Sequence, residues 1–369
     1  MSGAQHLYVH LPFCAHRCGY CDFVTVVGRE SQHGAYVEAL LRELELERHV
    51  LADELDTIFL GGGTPTFTEP GALERLLAEL PDAQEVTVEA NPETVTPELA
   101  ALLSRNRVNR VSLGAQSFNI ALLDVLERRA RGDDVTRSVY VLRDAGFDNV
   151  NLDLVYGVPG QSPADLERDL DEALALAPEH LSCYELEAKP GTRFTHVHGE
   201  ELERQAESME DYFERVVERL TAAGYRWYET ANFCLAPEAA GRDLRSRHNL
   251  GYWQGHDYLG LGIGAVSTVA GTRRRTTPRL PVYLEALAAR SAPPRELETI
   301  DDDTRRRELV MLGLRLDEPL ALAGLEPALD AEALERLVGL ELVSRGPRTV
   351  ALTRRGRFLG GRVTADLLA

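Results

Sequence analysis

The feature that most constrains the fold of this chain is a rhythm. Six short apolar runs, Leu7–Phe13, Thr57–Leu60, Glu85–Glu89, Arg110–Leu113, Val150–Tyr156 and His180–Leu186, recur through its first half. Segments of helical character separate them, among them Tyr36–Leu51, Gly71–Leu80 and Pro163–Ala175. Strands alternating with helices predict an α/β architecture of parallel β/α units, a sheet covered by helices. Six units are too few for a closed eight-stranded barrel, so a partial (βα)6 TIM-like barrel with an open mouth is expected. Met209–Ala223 reads as a helix closing that barrel, with a further strand at Tyr225–Glu229. The sixth run ends in a turn at Lys189-Pro190-Gly191-Thr192.

Beyond Thr230 the rhythm breaks. The reading divides the chain into a barrel over 1–230, a linking segment over 231–293 and a small cap over 294–369. In the cap, Asp302–Leu314 and Asp330–Val338 have helical patterns, and Leu340–Ser344 with Thr349–Leu352 reads as a hairpin. Helices followed by a hairpin suggest a winged-helix-like module. Arg273, Arg274 and Arg275 read as a solvated basic loop, with acidic groups such as propionates as the alternative partner.

Chemistry announces itself just after the first run. Cys14, Cys18 and Cys21 are spaced C-x3-C-x2-C, which places three of the chain's five cysteines within eight residues. Three thiolates so close together can hold a [4Fe–4S] cluster by three irons, where the usual cluster takes four cysteines. The fourth iron is then open to chelate a small molecule. Structural zinc takes four ligands, so His10 or His16 would have to complete a zinc site, and that alternative stands at this point. Cys183 and Cys234 read as small buried residues.

Composition narrows the partners. The formal charge is −19, from 40 Lys plus Arg against 59 Asp plus Glu. Such acidity argues against nucleic acid held by phosphate contacts. No run approaches the ~20 apolar residues that span a bilayer, and the N-terminus lacks a basic-then-apolar leader pattern. Cysteines that are few and clustered suit a reducing compartment. The expected location is the cytoplasm.

The C-x3-C-x2-C motif, preceded by Tyr8-Val-His-Leu-Pro-Phe13 and followed by Asp22-Phe23, resembles the radical S-adenosylmethionine (SAM) superfamily. More narrowly it resembles the branch holding oxygen-independent coproporphyrinogen III oxidase and a related group of haem chaperones. The resemblance implies that the open iron binds the amino and carboxylate groups of SAM. It also implies site positions. Gly62, Gly63 and Thr64, in the Gly-Gly-Gly-Thr run after the second strand, resemble the segment that meets the SAM amino group. Tyr8 and Tyr20 match aromatic positions flanking the cluster, and Tyr20 would stack on adenine. Gln116, Arg128 and Asp153 match positions around the SAM molecules, with Arg128 suited to a carboxylate by its forked donors. Glu89, at a strand end, could accept hydrogen bonds from a ribose diol; its plain alternative is a solvated acid. Asp153 stands in an otherwise apolar run, where a charge is costly unless paired or hydrogen-bonded. Relatives usually read Leu-Gly-Arg-x-His where this chain has Leu126-Glu127-Arg128-Arg129-Ala130. That departure leaves open which arginine points inward.

Two functions fit this reading. One is a haem chaperone that carries a [4Fe–4S] cluster and SAM and delivers haem to acceptor proteins, with respiratory proteins as candidates. The other is a coproporphyrinogen III oxidase, an oxidative decarboxylase. Decarboxylases of this branch resemble C-x3-C-x2-C-x-C, with a fourth cysteine where this chain has Phe23. The chain also starts six residues before its first run, without the extension seen in the decarboxylase. The chaperone is therefore expected. His248, in the H-N-x-x-Y-W pattern with Tyr252 and Trp253, is the candidate contributor to haem binding, directly or by positioning a ligand, with His10 or a cysteine as rivals; the plain alternative is an ordinary hydrogen-bonded histidine.

Overall fold

The structure is a computed structural model that describes residues 3–187, 189 and 193–368. In chain order the barrel elements are β1 (His6–Leu11), α1 (His33–Glu47), β2 (Leu55–Gly62), α2 (Pro70–Glu79), β3 (Ala83–Ala90), α3 (Pro97–Arg105), β4 (Arg110–Gln116), α4 (Ile120–Val125), α5 (Gly132–Asp144), β5 (Val150–Tyr156), α6 (Pro163–Ala175), β6 (His180–Glu185), α7 (Arg193–Gln205) and α8 (Met209–Ala222). The helices start where capping chemistry starts them. Thr96, Asn119 and Ser162 accept backbone N–H groups in the first turns of α3, α4 and α6, and Pro97 and Pro163 occupy the first helical position.

β1 to β6 lie side by side in sequence order and in parallel. β6 does not return to β1, so the barrel stays open. The linking segment supplies both flanks: β7 (Tyr225–Trp227) and β8 (Asn232–Leu235) pair antiparallel beyond β6. After α9 (Pro237–Ala240) and α10 (Arg247–Trp253), β9 (Tyr258–Leu261) pairs parallel with β1. β10 (Val266–Val269), β11 (Thr272–Thr276), α11 (Leu280–Ala288) and β12 (Arg295–Thr299) complete the twelve-stranded sheet.

Strand side chains alternate faces, and here the two faces differ in kind. Leu7, Val9, Ile58, Leu60, Val88, Val111, Leu113 and Leu152 are fully buried against the helices. Each such side chain contributes roughly 1.5–3 kcal/mol. The intervening positions, on the other face, are mostly polar: His6, Tyr8 and His10; Thr57; Glu85, Thr87 and Glu89; Arg110 and Ser112; Asn151 and Asp153; His180 and Ser182. The barrel therefore has an apolar jacket and a polar lumen.

α12 (Asp302–Gly313), β13 (Leu320–Ala321), α13 (Ala331–Gly339), β14 (Val343–Arg345), β15 (Thr349–Leu352), α14 (Arg354–Phe358) and α15 (Gly360–Leu367) form the small C-terminal module. Its three-stranded antiparallel sheet and helices enclose a separate core around Val310, Leu334, Leu337, Val350 and Leu367. Arg357 fastens it to the barrel, lying 3.6 Å above the Trp227 ring and donating to the Trp227 carbonyl.

Two expectations are corrected. β12 falls beyond residue 294, yet it pairs with β11 in the barrel sheet, so the cap's own core begins later, near Val310. Arg273–Arg275 form the middle of β11 and not a loop. Arg273 pairs with Glu298 and Glu308, Arg274 with Glu47, and only Arg275 is exposed. The turn expected at 189–192 lies, Lys189 aside, outside the described residues.

Candidate functional site

The cysteine loop leaves β1 at the barrel mouth and is pinned where it starts and ends. Cys14 N–H donates to the Val26 carbonyl at 3.0 Å, and Val26 N–H to the Pro12 carbonyl at 2.8 Å. Cys14 is buried, whereas Cys18 and Cys21 are half-buried; none is in a disulfide. Burial pushes the Cys14 and Cys21 thiols up.

The end of β2 supports this loop. Gly63 N–H donates to the Leu11 carbonyl, Thr64 N–H to the Phe13 carbonyl, and Gly62 N–H to Glu89 at 3.0 Å. Gly62 has φ of 111°, and a Cβ there would meet the His10 ring at 2.4 Å, so only glycine fits. These N–H groups are spent on the protein. An amine, which needs acceptors, would meet carbonyl oxygens here.

Arg128, and not the exposed Arg129, turns inward. Its fork donates to Asn91 Oδ1 at 2.8 Å and the Gly114 carbonyl at 2.9 Å, and reaches Cys18 Sγ at 3.8 Å. Its Nε is buried without a partner among the described residues. Asn91 in turn donates to Thr64 Oγ1 at 3.0 Å, which lies 3.5 Å from Cys14 Sγ. Cys14, Thr64, Asn91, Arg128 and Cys18 thus form one connected set. Gln116 stands at the bulged end of β4 with φ of 66°.

Below the mouth, two carboxylates face the lumen. Asp153 accepts from Ser112 at 3.1 Å and Asn151 at 2.8 Å, the hydrogen bonding its burial demands. Burial raises its pKa, and these two donors oppose the rise. Glu89 is pushed up to about 7, first by burial and then by the neighbouring Asp153 charge, against the pull of Gly62 N–H. Tyr8 donates to or accepts from His10 Nδ1 at 3.0 Å on the same face. Tyr20 packs in a satellite apolar cluster, its ring 6.4 Å from Phe194.

His248 is not at this mouth. It is 1% exposed on α10, whose N-terminal amides bind Glu85 low on β3. Its Nδ1 bonds Thr57 Oγ1 at 2.7 Å and its Nε2 bonds the Tyr252 hydroxyl at 2.9 Å. Burial, then His6 and Arg110, lower its pKa to about 3, so the ring is neutral and fully used. With both ring nitrogens hydrogen-bonded, His248 is a core histidine in this structure, which leaves the positioning of a ligand as its route to a part in haem binding. Asn91, Ser112, Asn151 and Arg110 were not singled out from sequence, although the every-second-residue polarity of these strands signals the lumen.

A curled parallel sheet with a three-cysteine loop at its mouth is the architecture of the Radical SAM superfamily, whose family model matches residues 8–173. The Heme chaperone HemW of Mycobacterium tuberculosis (strain ATCC 25618 / H37Rv) is 36% identical over 98% of this chain and 94% of its own. That of Bacillus subtilis (strain 168) is 32% identical over 98% of each chain. The solved structure of coproporphyrinogen III oxidase (HemN) from Escherichia coli, a radical SAM enzyme, matches with a TM-score of 0.82 at 22% identity. The match covers 99% of this chain and 90% of that one, and is a likeness of fold. The chain belongs to the HemW family within the Radical SAM superfamily.

Membership implies a [4Fe–4S] cluster and SAM, and the residues present fit them. Three free thiols share one anchored loop, and the partnerless Arg128 Nε lies beside it. No described helix is long and apolar enough to cross a membrane.

Proposed function

We propose that this protein is a haem chaperone: it binds haem and passes it to acceptor proteins, in the cytoplasm. The observation that carries this reading is the near full-length match to relatives named as haem chaperones. Phe23, 62% exposed two residues after Cys21, supports it, since the decarboxylases of this branch place a fourth cysteine there.

In this reading Cys14, Cys18 and Cys21 hold the cluster. When bound, a reduced [4Fe–4S] cluster beside SAM supplies a one-electron donor next to a sulfonium. Carbonyls at Gly62 and Gly63 receive the amine of SAM, Arg128 receives its carboxylate with the fork already aimed by Asn91, and Tyr20 offers a face to adenine. Thr64 and Gln116 border that pocket, Glu89 and Asp153 put negative charge under a cationic ligand, and Tyr8 walls the cluster side.

The test is a haem titration of the anaerobically reconstituted protein, followed in the Soret band. Saturation near one haem per chain supports the proposal; no haem binding by protein with a full cluster overturns it.

A further inference from the structure

A haem carrier needs an imidazole with a free nitrogen, facing a cavity large enough for a porphyrin. Histidine is a common ligand of haem iron, and ligand sites enclose roughly 300–1,000 Å³. Of the ten histidines, His6, His10, His180 and His248 have both ring nitrogens hydrogen-bonded within the barrel. His33 is buried under Phe13 and Phe67. His16 faces Glu127 at 3.9 Å inside the cysteine loop. His49 and His256 each commit one nitrogen, to the Leu46 carbonyl and to His6.

His196 and His198 on α7 remain. Neither ring has a hydrogen-bond partner among the described residues. Both line an open cavity of about 810 Å³, walled by Val125, Pro159 and Gly160. This cavity lies at the barrel mouth, because Pro159 and Gly160 follow β5 and α7 follows β6. Gln205 ties the end of α7 to the same turn, donating to the Val158 and Gln161 carbonyls at 3.0 and 3.3 Å.

The two histidines differ in support. His196 is exposed, whereas His198 is half-buried, its ring 4.7 Å from that of the buried Phe194. Phe194 in turn lies 6.4 Å from Tyr20, between Cys18 and Cys21. A ligand on His198 is therefore two ring contacts from the cysteine loop.

We propose that His198 is the axial ligand of haem, which lies in the cavity between α7 and the turn after β5. This rests on the haem-chaperone reading and names its site. The porphyrin face packs on Val125 and Pro159. Glu200, Glu201 and Glu203 edge the cavity, so the propionates point outward to water. The contact through Phe194 and Tyr20 couples haem occupancy to the cluster loop.

The test compares the parent with His198→Ala, His196→Ala and His49→Ala, all reconstituted, with iron and sulfide measured on each sample. His198→Ala is expected to weaken haem binding at least tenfold and to lose the imidazole signature in the electron paramagnetic resonance spectrum of ferric haem. Added imidazole should restore that signature. His196→Ala and His49→Ala should stay within threefold of the parent. Parent-like affinity and spectrum in His198→Ala, with its cluster intact, would overturn the assignment, as would a loss confined to His196→Ala. Failure of the parent itself to bind haem would instead overturn the chaperone reading.

Discussion

Glu89→Gln should make the cofactor-free protein more stable at pH 8. Burial and the Asp153 charge hold the Glu89 carboxyl at about 7, against an ordinary 4.5. Its proton is thus bound more tightly in the folded chain than in the unfolded one. As pH rises from about 4.5 to about 7 the unfolded state gives up that proton first, so stability falls across this window and is level above it. Each pKa unit is worth about 1.4 kcal/mol. Glu89 is half-buried, which discounts the full figure to about 2 kcal/mol. Glutamine keeps an acceptor for Gly62 N–H and cannot ionise. Thermal unfolding of the two apo-proteins, followed by near-ultraviolet circular dichroism, should show the variant melting about 3 °C higher at pH 8. The gap should close toward pH 5. SAM affinity should fall in the same variant, since the charge that costs the fold is the one offered to a cationic ligand. A variant less stable than the parent at pH 8, or a gap independent of pH, would refute this reasoning.

Replacing any one of Cys14, Cys18 or Cys21 by Ala should abolish the cluster, measured as about four irons and four sulfides per chain. Cys183→Ala and Cys234→Ala should keep it, since both side chains are buried in strands away from the loop. Asp153→Ala should weaken SAM binding about tenfold in equilibrium dialysis without loss of iron; unchanged binding would move the pocket. Thr57→Val removes the hydroxyl shared by His6 Nδ1 and His248 Nδ1 and strands two buried groups. It should cost about 2–4 kcal/mol in denaturant unfolding, while haem affinity of the folded fraction stays at the parent's value. A specific loss of haem would return His248 to the haem site.

Much of the site was legible because it is local. The three cysteines and the glycine run each occupy a few consecutive residues, and spacing alone reports them. The six parallel strands were legible through their buried faces, where Val, Leu and Ile recur. Their lumen faces were harder to read. Glu85, Arg110, Ser112, Asn151 and His180 sit at alternate positions on different strands, and only curling of the sheet makes them neighbours. The surroundings of His248 were hard to read for the same reason. Its neighbours in sequence are Tyr252 and Trp253, a plausible haem wall, whereas its hydrogen-bond acceptor and donor set includes Thr57, 191 residues away. β12 was assigned to the cap because a five-residue strand with one buried-side partner has no strong apolar pattern. It is placed instead by its backbone pairing with β11, by the Arg273–Glu298 ion pair across that pairing, and by Arg295, which ties it to Glu43 and Glu47 on α1. His196 and His198 passed unnoticed because an exposed helix with two histidines carries no spacing signal; the cavity beside them is a property of the fold.

The central claim is that the chain carries haem without decarboxylating a porphyrinogen. It is tested most directly by loading the reconstituted protein with haem and mixing it anaerobically with an apo-cytochrome acceptor. A parallel sample receives coproporphyrinogen III, SAM and a one-electron reductant. The account predicts that the Soret spectrum of the acceptor appears as that of the carrier fades, and that the porphyrinogen is recovered unchanged. Retention of haem by the carrier, with stoichiometric carbon dioxide released from the porphyrinogen, would contradict it.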